Sequence, residues 1–93
     1  MADHADDVRL PGWERRDDAL HRTVRFDDYR DAAAFAMRVA IEAEAADHHP
    51  DLRLTWGRVD ITLTSHDVGG VTDRDVAMAE ALSAIVDRAP TAG

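Results

Sequence analysis

The chain has 93 residues, enough for one domain with a modest core, and a chain this size buries only roughly 60–65% of its unfolded surface. Acidic residues outnumber basic ones 19 to 11, for a net charge of −8, so the cationic face that nucleic acid or an anionic membrane needs is missing. With no cysteine, disulfides and thiolate zinc sites are excluded, and no apolar run approaches the roughly 18 residues of a membrane span.

Met1 to Val8 is acidic and polar, without the layout of a signal peptide, so the expected location is the cytoplasm. Residues 1–11 read as a short lead-in closed by Pro11-Gly12, residues 12–90 as a single domain and residues 91–93 as a tail. Trp13–Arg16 and Ala19–Phe26 read as two strands around Asp17-Asp18. Leu20, Val24 and Phe26 alternate in the second, with Arg22 interrupting the pattern.

Asp28 is placed to cap a helix whose apolar positions are Ala32, Phe35, Ala36, Val39, Ala40, Ala43 and Ala46, a 3.6-residue period. Arg38 and Glu42 fall on the opposite side at the spacing of an i,i+4 ion pair. Pro50 disfavours helix at His49, so the helix should end near Asp47 or His48.

A second hairpin follows, with Leu52, Leu54 and Trp56 alternating in one strand and Val59, Ile61 and Leu63 in the other. Gly57-Arg58 suits a type II′ turn, with Gly first. The fourth strand runs out into Thr64-Ser65-His66-Asp67, and Gly69-Gly70 breaks the chain. The last helix starts at Thr72, where Thr72 and Asp75 have capping-box spacing. Val76, Ala79, Leu82 and Val86, with Met78 and Ile85, form its buried stripe before Pro90. The order β-β-α-β-β-α predicts an α+β fold, a four-stranded antiparallel sheet with helices on one face.

Three histidines sit where the chain changes direction, His48 and His49 at the end of the long helix and His66 at the end of the fourth strand. Imidazole both gives and takes a proton near neutral pH, so a pair of histidines suits general acid–base work. Glu44 and His48 at i,i+4 would let the carboxylate orient the ring. Histidine at a helix C-terminus also interacts favourably with the dipole without any function. No metal site is expected, because adjacent histidines rarely face one ion and neither HxH nor HxxxH spacing occurs. Trp56 reads as sheet packing, Asp75 as a helix-start residue satisfying backbone donors, and His4 and His21 as solvated surface.

Glu44, His48-His49-Pro50, Trp56, His66 and Asp75, in this order, resemble the signature of the pterin-4a-carbinolamine dehydratases. Phe26-Asp27-Asp28-Tyr29, Arg38-Val39-Ala40, Ile61 through His66 and Gly70 through Asp75 extend the likeness over residues 12 to 88. The resemblance implies the family order α-β-β-α-β-β-α, with the first helix missing or reduced before Trp13 and the sheet less covered there or covered by a partner chain. Ser65 stands where many members have threonine, and the hydroxyl is retained.

By the same resemblance the chain would dehydrate 4a-hydroxytetrahydropterin to quinonoid dihydropterin in tetrahydropterin recycling, with no cofactor. His48 and His66 would form the acid–base pair, and His49 would hold and polarise the pterin. Glu44, Asp47, Ser65 and Asp75 would be the substrate-binding and supporting residues. A homodimer or homotetramer and a functional link to an aromatic amino-acid hydroxylase are implied. So is a rival role, since family members also serve as a dimerising scaffold, coactivator or assembly factor.

Overall fold

The computed structural model describes residues 10–92. Residues 1–9 of the lead-in, His4 among them, and Gly93 lie outside the described residues. The elements are β1 (Glu14–Arg16), β2 (Ala19–Arg25), α1 (Tyr29–Ala46), β3 (Asp51–Thr55), β4 (Arg58–Leu63) and α2 (Asp73–Arg88). They form the expected α+β fold, one antiparallel sheet in the order β1-β2-β4-β3 with the two helices against it.

The β1–β2 hairpin turns through Asp17 and Asp18, at φ 54° and 61°. Positive φ at both central residues is the type I′ geometry whose twist matches the flanking strands. Along β4 burial alternates strictly. Val59, Ile61 and Leu63 enter the core while Arg58, Asp60 and Thr62 lie on the other face. On that polar face Thr23 donates to Asp60 at 2.7 Å and His21 meets Thr62. His21 also reaches the Arg16 carbonyl at 3.0 Å and is half-buried, so it is a cross-strand residue rather than the solvated one expected. Arg22 breaks the β2 alternation because it lies at the edge of the core. It sits over the Trp13 ring at 5.9 Å, and both side chains donate to Ser83 Oγ of α2 at 3.0 Å.

The hairpin β3–β4 pairs Thr55 with Arg58, which puts the loop at Trp56-Gly57, one residue earlier than the sequence suggested. Gly57, at φ +64°, is the second loop residue, so the positive φ lies where a type II turn requires it and not at the first position of a II′ turn. A Cβ on Gly57 would come within 2.9 Å of the Phe26 carbonyl oxygen, and the Gly57 carbonyl accepts the Phe26 N–H at 2.8 Å. Trp56 therefore leaves the strand and is 74% exposed instead of packing on the sheet.

Asp28 caps α1, its carboxylate accepting the Asp31 N–H at 2.8 Å. Ala32, Phe35, Val39 and Ala43 are buried, and Phe35 meets Phe26 with ring centroids 5.2 Å apart. Ala40 and Ala46, expected in this stripe, are exposed, and Ala36 is half-buried. Alanine suits either environment, so its spacing carries less information than that of Phe35 or Val39. The ion pair expected between Arg38 and Glu42 does not form among the described residues. In α2, Val76, Met78, Ala79, Leu82 and Val86 are buried as expected, with Ile85 packed at the margin. Full burial of side chains such as Ile61, Leu63 and Leu82 contributes about 1.5–3 kcal/mol each.

The connectivity sends the C-terminus of α1, the start of β3, the end of β4 and the N-terminus of α2 to one end of the sheet. The Trp56-Gly57 turn, Phe26 and the bridge from Phe26 to Thr91 occupy the other end.

Candidate active site

The end of α1 positions the first two histidines. Asp47 adopts a left-handed conformation (φ 53°, ψ 40°), and the next N–H, that of His48, reaches back five residues to the Ala43 carbonyl at 3.2 Å. This is the Schellman pattern of helix closure, with aspartate where glycine is usual. The reversal at Asp47 takes His48 off the helix before it can stack on Glu44. His48 Nε2 instead lies 2.5 Å from Asp75 Oδ1, on the first turn of α2. Glu44 meets His49, with Nε2 to Oε1 at 2.9 Å between two exposed side chains. The expected Glu44–His48 pair is thus replaced by two pairs, Asp75–His48 and Glu44–His49, and the cause is the αL residue between helix and histidines.

Asp75 is fully buried and collects donors from two other segments. Its Oδ2 accepts the Thr72 N–H at 2.9 Å, closing the return half of the capping box, and the Ser65 hydroxyl at 2.7 Å. The Ser65 and Thr72 hydroxyls are also 2.7 Å apart. Asp75 therefore does satisfy backbone donors at the helix start. The other oxygen of the same carboxylate holds a histidine 27 residues away in sequence. A buried carboxylate is tolerated because donors converge on it.

Ser65 is buried and opens the loop that bears His66. Its N–H donates to the Gly70 carbonyl at 2.9 Å, and its own carbonyl accepts from Val68 at 3.1 Å and Gly69 at 2.9 Å. Arg74 ties this loop to α2 through Asp67 at 2.8 Å. His66 follows Ser65 on the tightened loop, exposed and without a hydrogen bond or ion pair to a described residue. One carboxylate, Asp75, thus anchors both His48 and the residue that precedes His66.

A cleft of about 210 Å³ opens between α1 and α2 beside His48, which is 10% exposed, with Arg74 and Met78 on its wall. Asp47 and His49 are exposed at the same end of the sheet. Trp56 does not join them. It lies five residues beyond Asp51 along β3, about 16 Å at ~3.3 Å per residue. Among the described residues no three His, Asp or Glu side chains are grouped as metal ligands, and no helix is long and apolar enough to cross a membrane. Sequence reasoning passed over Thr72 and Arg74 as parts of this region. The Thr72–Asp75 spacing was a signal for the first, and nothing local marked the second.

The family profile described as Pterin 4 alpha carbinolamine dehydratase matches residues 2–85. A protein of Thermomicrobium roseum with a provisional pterin-4-alpha-carbinolamine dehydratase name is 51% identical over 74 residues, 80% of each chain. A Haloarcula marismortui protein with the same provisional name is 45% identical over 92 residues, covering 94% of this chain and all of its own. Among solved structures, a transcriptional coactivator/pterin dehydratase from Brucella melitensis superposes with a TM-score of 0.77 at 39% identity, over 83% of this chain and 84% of that one. A pterin dehydratase-like RuBisCO assembly factor of the alpha-carboxysome shares the fold, with a TM-score of 0.64 at 23% identity over 80% of this chain and 86% of its own. With nearly the whole chain matched by the profile and by relatives of this identity, the protein belongs to the pterin-4-alpha-carbinolamine dehydratase family.

Proposed function

We propose that the protein dehydrates 4a-hydroxytetrahydropterin to quinonoid dihydropterin, in tetrahydropterin recycling and without a cofactor. The 4a-hydroxyl leaves as water and needs a proton, while N5 loses one as the C4a–N5 double bond forms. The observation that supports this best is the shared carboxylate, Asp75, bonded to His48 through Oδ1 and to Ser65 through Oδ2.

Asp75 accepts from the Thr72 N–H and the Ser65 and Thr72 hydroxyls, which suits an ionised carboxylate, and in this reading His48 donates to it from Nε2 and keeps Nδ1 free of any described partner. An imidazole held in one tautomer by a buried carboxylate is set up as a base at the opposite nitrogen. His48 is therefore the base that takes the N5 proton through Nδ1. His66, with no partner to compete, is the acid that protonates the departing hydroxyl. His49, held by Glu44, contacts and polarises the pterin. Glu44 and Asp47 offer carboxylates to the donors of the amino-pyrimidine edge, and Ser65 and Asp75 support the site from beneath.

A homodimer or homotetramer belongs to the same proposal. Tyr29, Met37 and Ile41, spaced along the outer side of α1, are 52–62% exposed and supply apolar area for it. The same surface favours the second reading, a scaffold or assembly role beside or instead of catalysis. The enzyme would work in the cytoplasm with a pterin-dependent aromatic amino-acid hydroxylase. The test is turnover of freshly generated 4a-hydroxytetrahydropterin above its spontaneous rate. His48→Ala and His66→Ala should each lower it by roughly 10²–10⁴-fold. Folded variants with undiminished turnover would remove these histidines from the reaction.

A further inference from the structure

A second cleft, of about 220 Å³, opens between α1 and α2 at the end remote from the histidines. Phe35, Ile85 and Ala89 give it an apolar floor, and Arg38 from α1 and Arg88 from α2 line it from opposite sides, with Asp31 nearby. Both arginines are exposed, and neither has an ion pair or hydrogen bond among the described residues. Arg16, Arg58 and Arg74 each have an acidic partner, and Arg22 is bonded to Ser83. Of the arginines that lack one, Arg38 and Arg88 are the two that line a common cleft.

We propose that this cleft binds a small organic monocarboxylate with an aromatic or branched apolar body. Guanidinium groups recognise a carboxylate in the bidentate geometry that a point charge cannot offer. The apolar body would cover Phe35 and Ile85, leaving the charged end to the two arginines. Asp31 disfavours a second negative charge, so the cleft selects monocarboxylates over dicarboxylates and phosphate esters. Its volume suits a single ring and is small for a larger ligand. Arg38 precedes Ala46, the last residue of α1 before the histidines, by eight positions, about 12 Å at ~1.5 Å per residue, so the ligand is not the substrate of the histidine site.

Phenylacetate is a suitable probe, titrated into the full isotope-labelled chain and followed by amide shifts in ¹H–¹⁵N spectra. The expected result is saturable binding with a millimolar Kd and shifts confined to residues 31–38 and 85–89. Arg38→Gln with Arg88→Gln should weaken it by about tenfold or more, as lost charge-assisted bonds do. Succinate and phenyl phosphate should bind more weakly than phenylacetate. If the double variant fails to fold, Arg38→Lys and Arg88→Lys, which keep the charge but lose the fork, should each weaken binding measurably. Absence of saturation, shifts centred on His48 or residues 65–70, tighter binding of succinate or phenyl phosphate, or unchanged affinity in the folded variants would overturn the proposal.

Discussion

Replacing Asp75 by asparagine preserves the shape of the buried side chain and removes its charge. Four groups reach the carboxylate, Thr72 N–H at 2.9 Å, the Ser65 hydroxyl at 2.7 Å, the Thr72 hydroxyl at 3.4 Å and His48 Nε2 at 2.5 Å. If the amide oxygen keeps the Thr72 and Ser65 bonds, the amide nitrogen faces His48 and can only donate. His48 must then turn its lone pair to Nε2 and carry its proton on Nδ1. Bonds to a charged group are worth about 1.5–3 kcal/mol against 0.5–1.5 for neutral ones, so the stability loss should be ~1–3 kcal/mol. In a chain of this size that lowers Tm by roughly 4–8 °C per kcal/mol. The kinetic loss should be larger, ~10²–10⁴-fold in kcat, because the base is placed on the wrong nitrogen. Stopped-flow absorbance gives kcat, thermal melts give the stability, and imidazole ¹⁵N shifts report the tautomer directly. An Asp75→Asn protein with wild-type kcat and the Nε2–H tautomer retained would refute the role assigned to this carboxylate.

Other consequences follow from the turns and the exposed pair. Asp47→Gly removes a left-handed aspartate, so thermal melts should show a gain of up to about 1 kcal/mol, while loss of the carboxylate should raise KM for the pterin. Asp18→Gly, giving the Asp-Gly sequence favoured in type I′ turns, should stabilise the β1–β2 hairpin by ~0.5–1 kcal/mol in denaturant titrations. Gly57→Ala should destabilise by ~1–3 kcal/mol in the same titrations, since φ +64° disfavours a side chain and a Cβ would press on the Phe26 carbonyl. Glu44→Gln breaks an exposed pair, so the stability measured by thermal melts should stay within about 0.5 kcal/mol of wild type, while KM rises more than kcat falls.

The fold was legible wherever apolar residues kept one period. Val59, Ile61 and Leu63 can satisfy only a strand with one buried face, and Phe35, Val39 and Ala43 only a helix. The alternation alone did not place the turn between β3 and β4, because a two-residue loop can slide by one position, and Trp56 suits a strand as readily as a turn. At the site, the histidines and Asp75 were visible as residues but their pairing was not. Glu44 and His48 have the right spacing on a continuous helix, and only the left-handed turn at Asp47 redirects His48 to α2. Asp75 could be read as a local cap from Thr72-x-x-Asp75. Its bond to a residue 27 positions away is a property of the packed sheet end, which local spacing does not encode. His21 was misread for the same reason, since its partner Thr62 comes from β4.

The most direct measurement is the rate at which 4a-hydroxytetrahydropterin disappears in the presence of the wild-type protein, with the spontaneous rate subtracted. Acceleration proportional to protein concentration, and lost in His48→Ala, is the expected result. A folded wild-type protein that leaves the spontaneous rate unchanged would contradict the catalytic assignment of His48 and His66 and leave the scaffold role on the same fold.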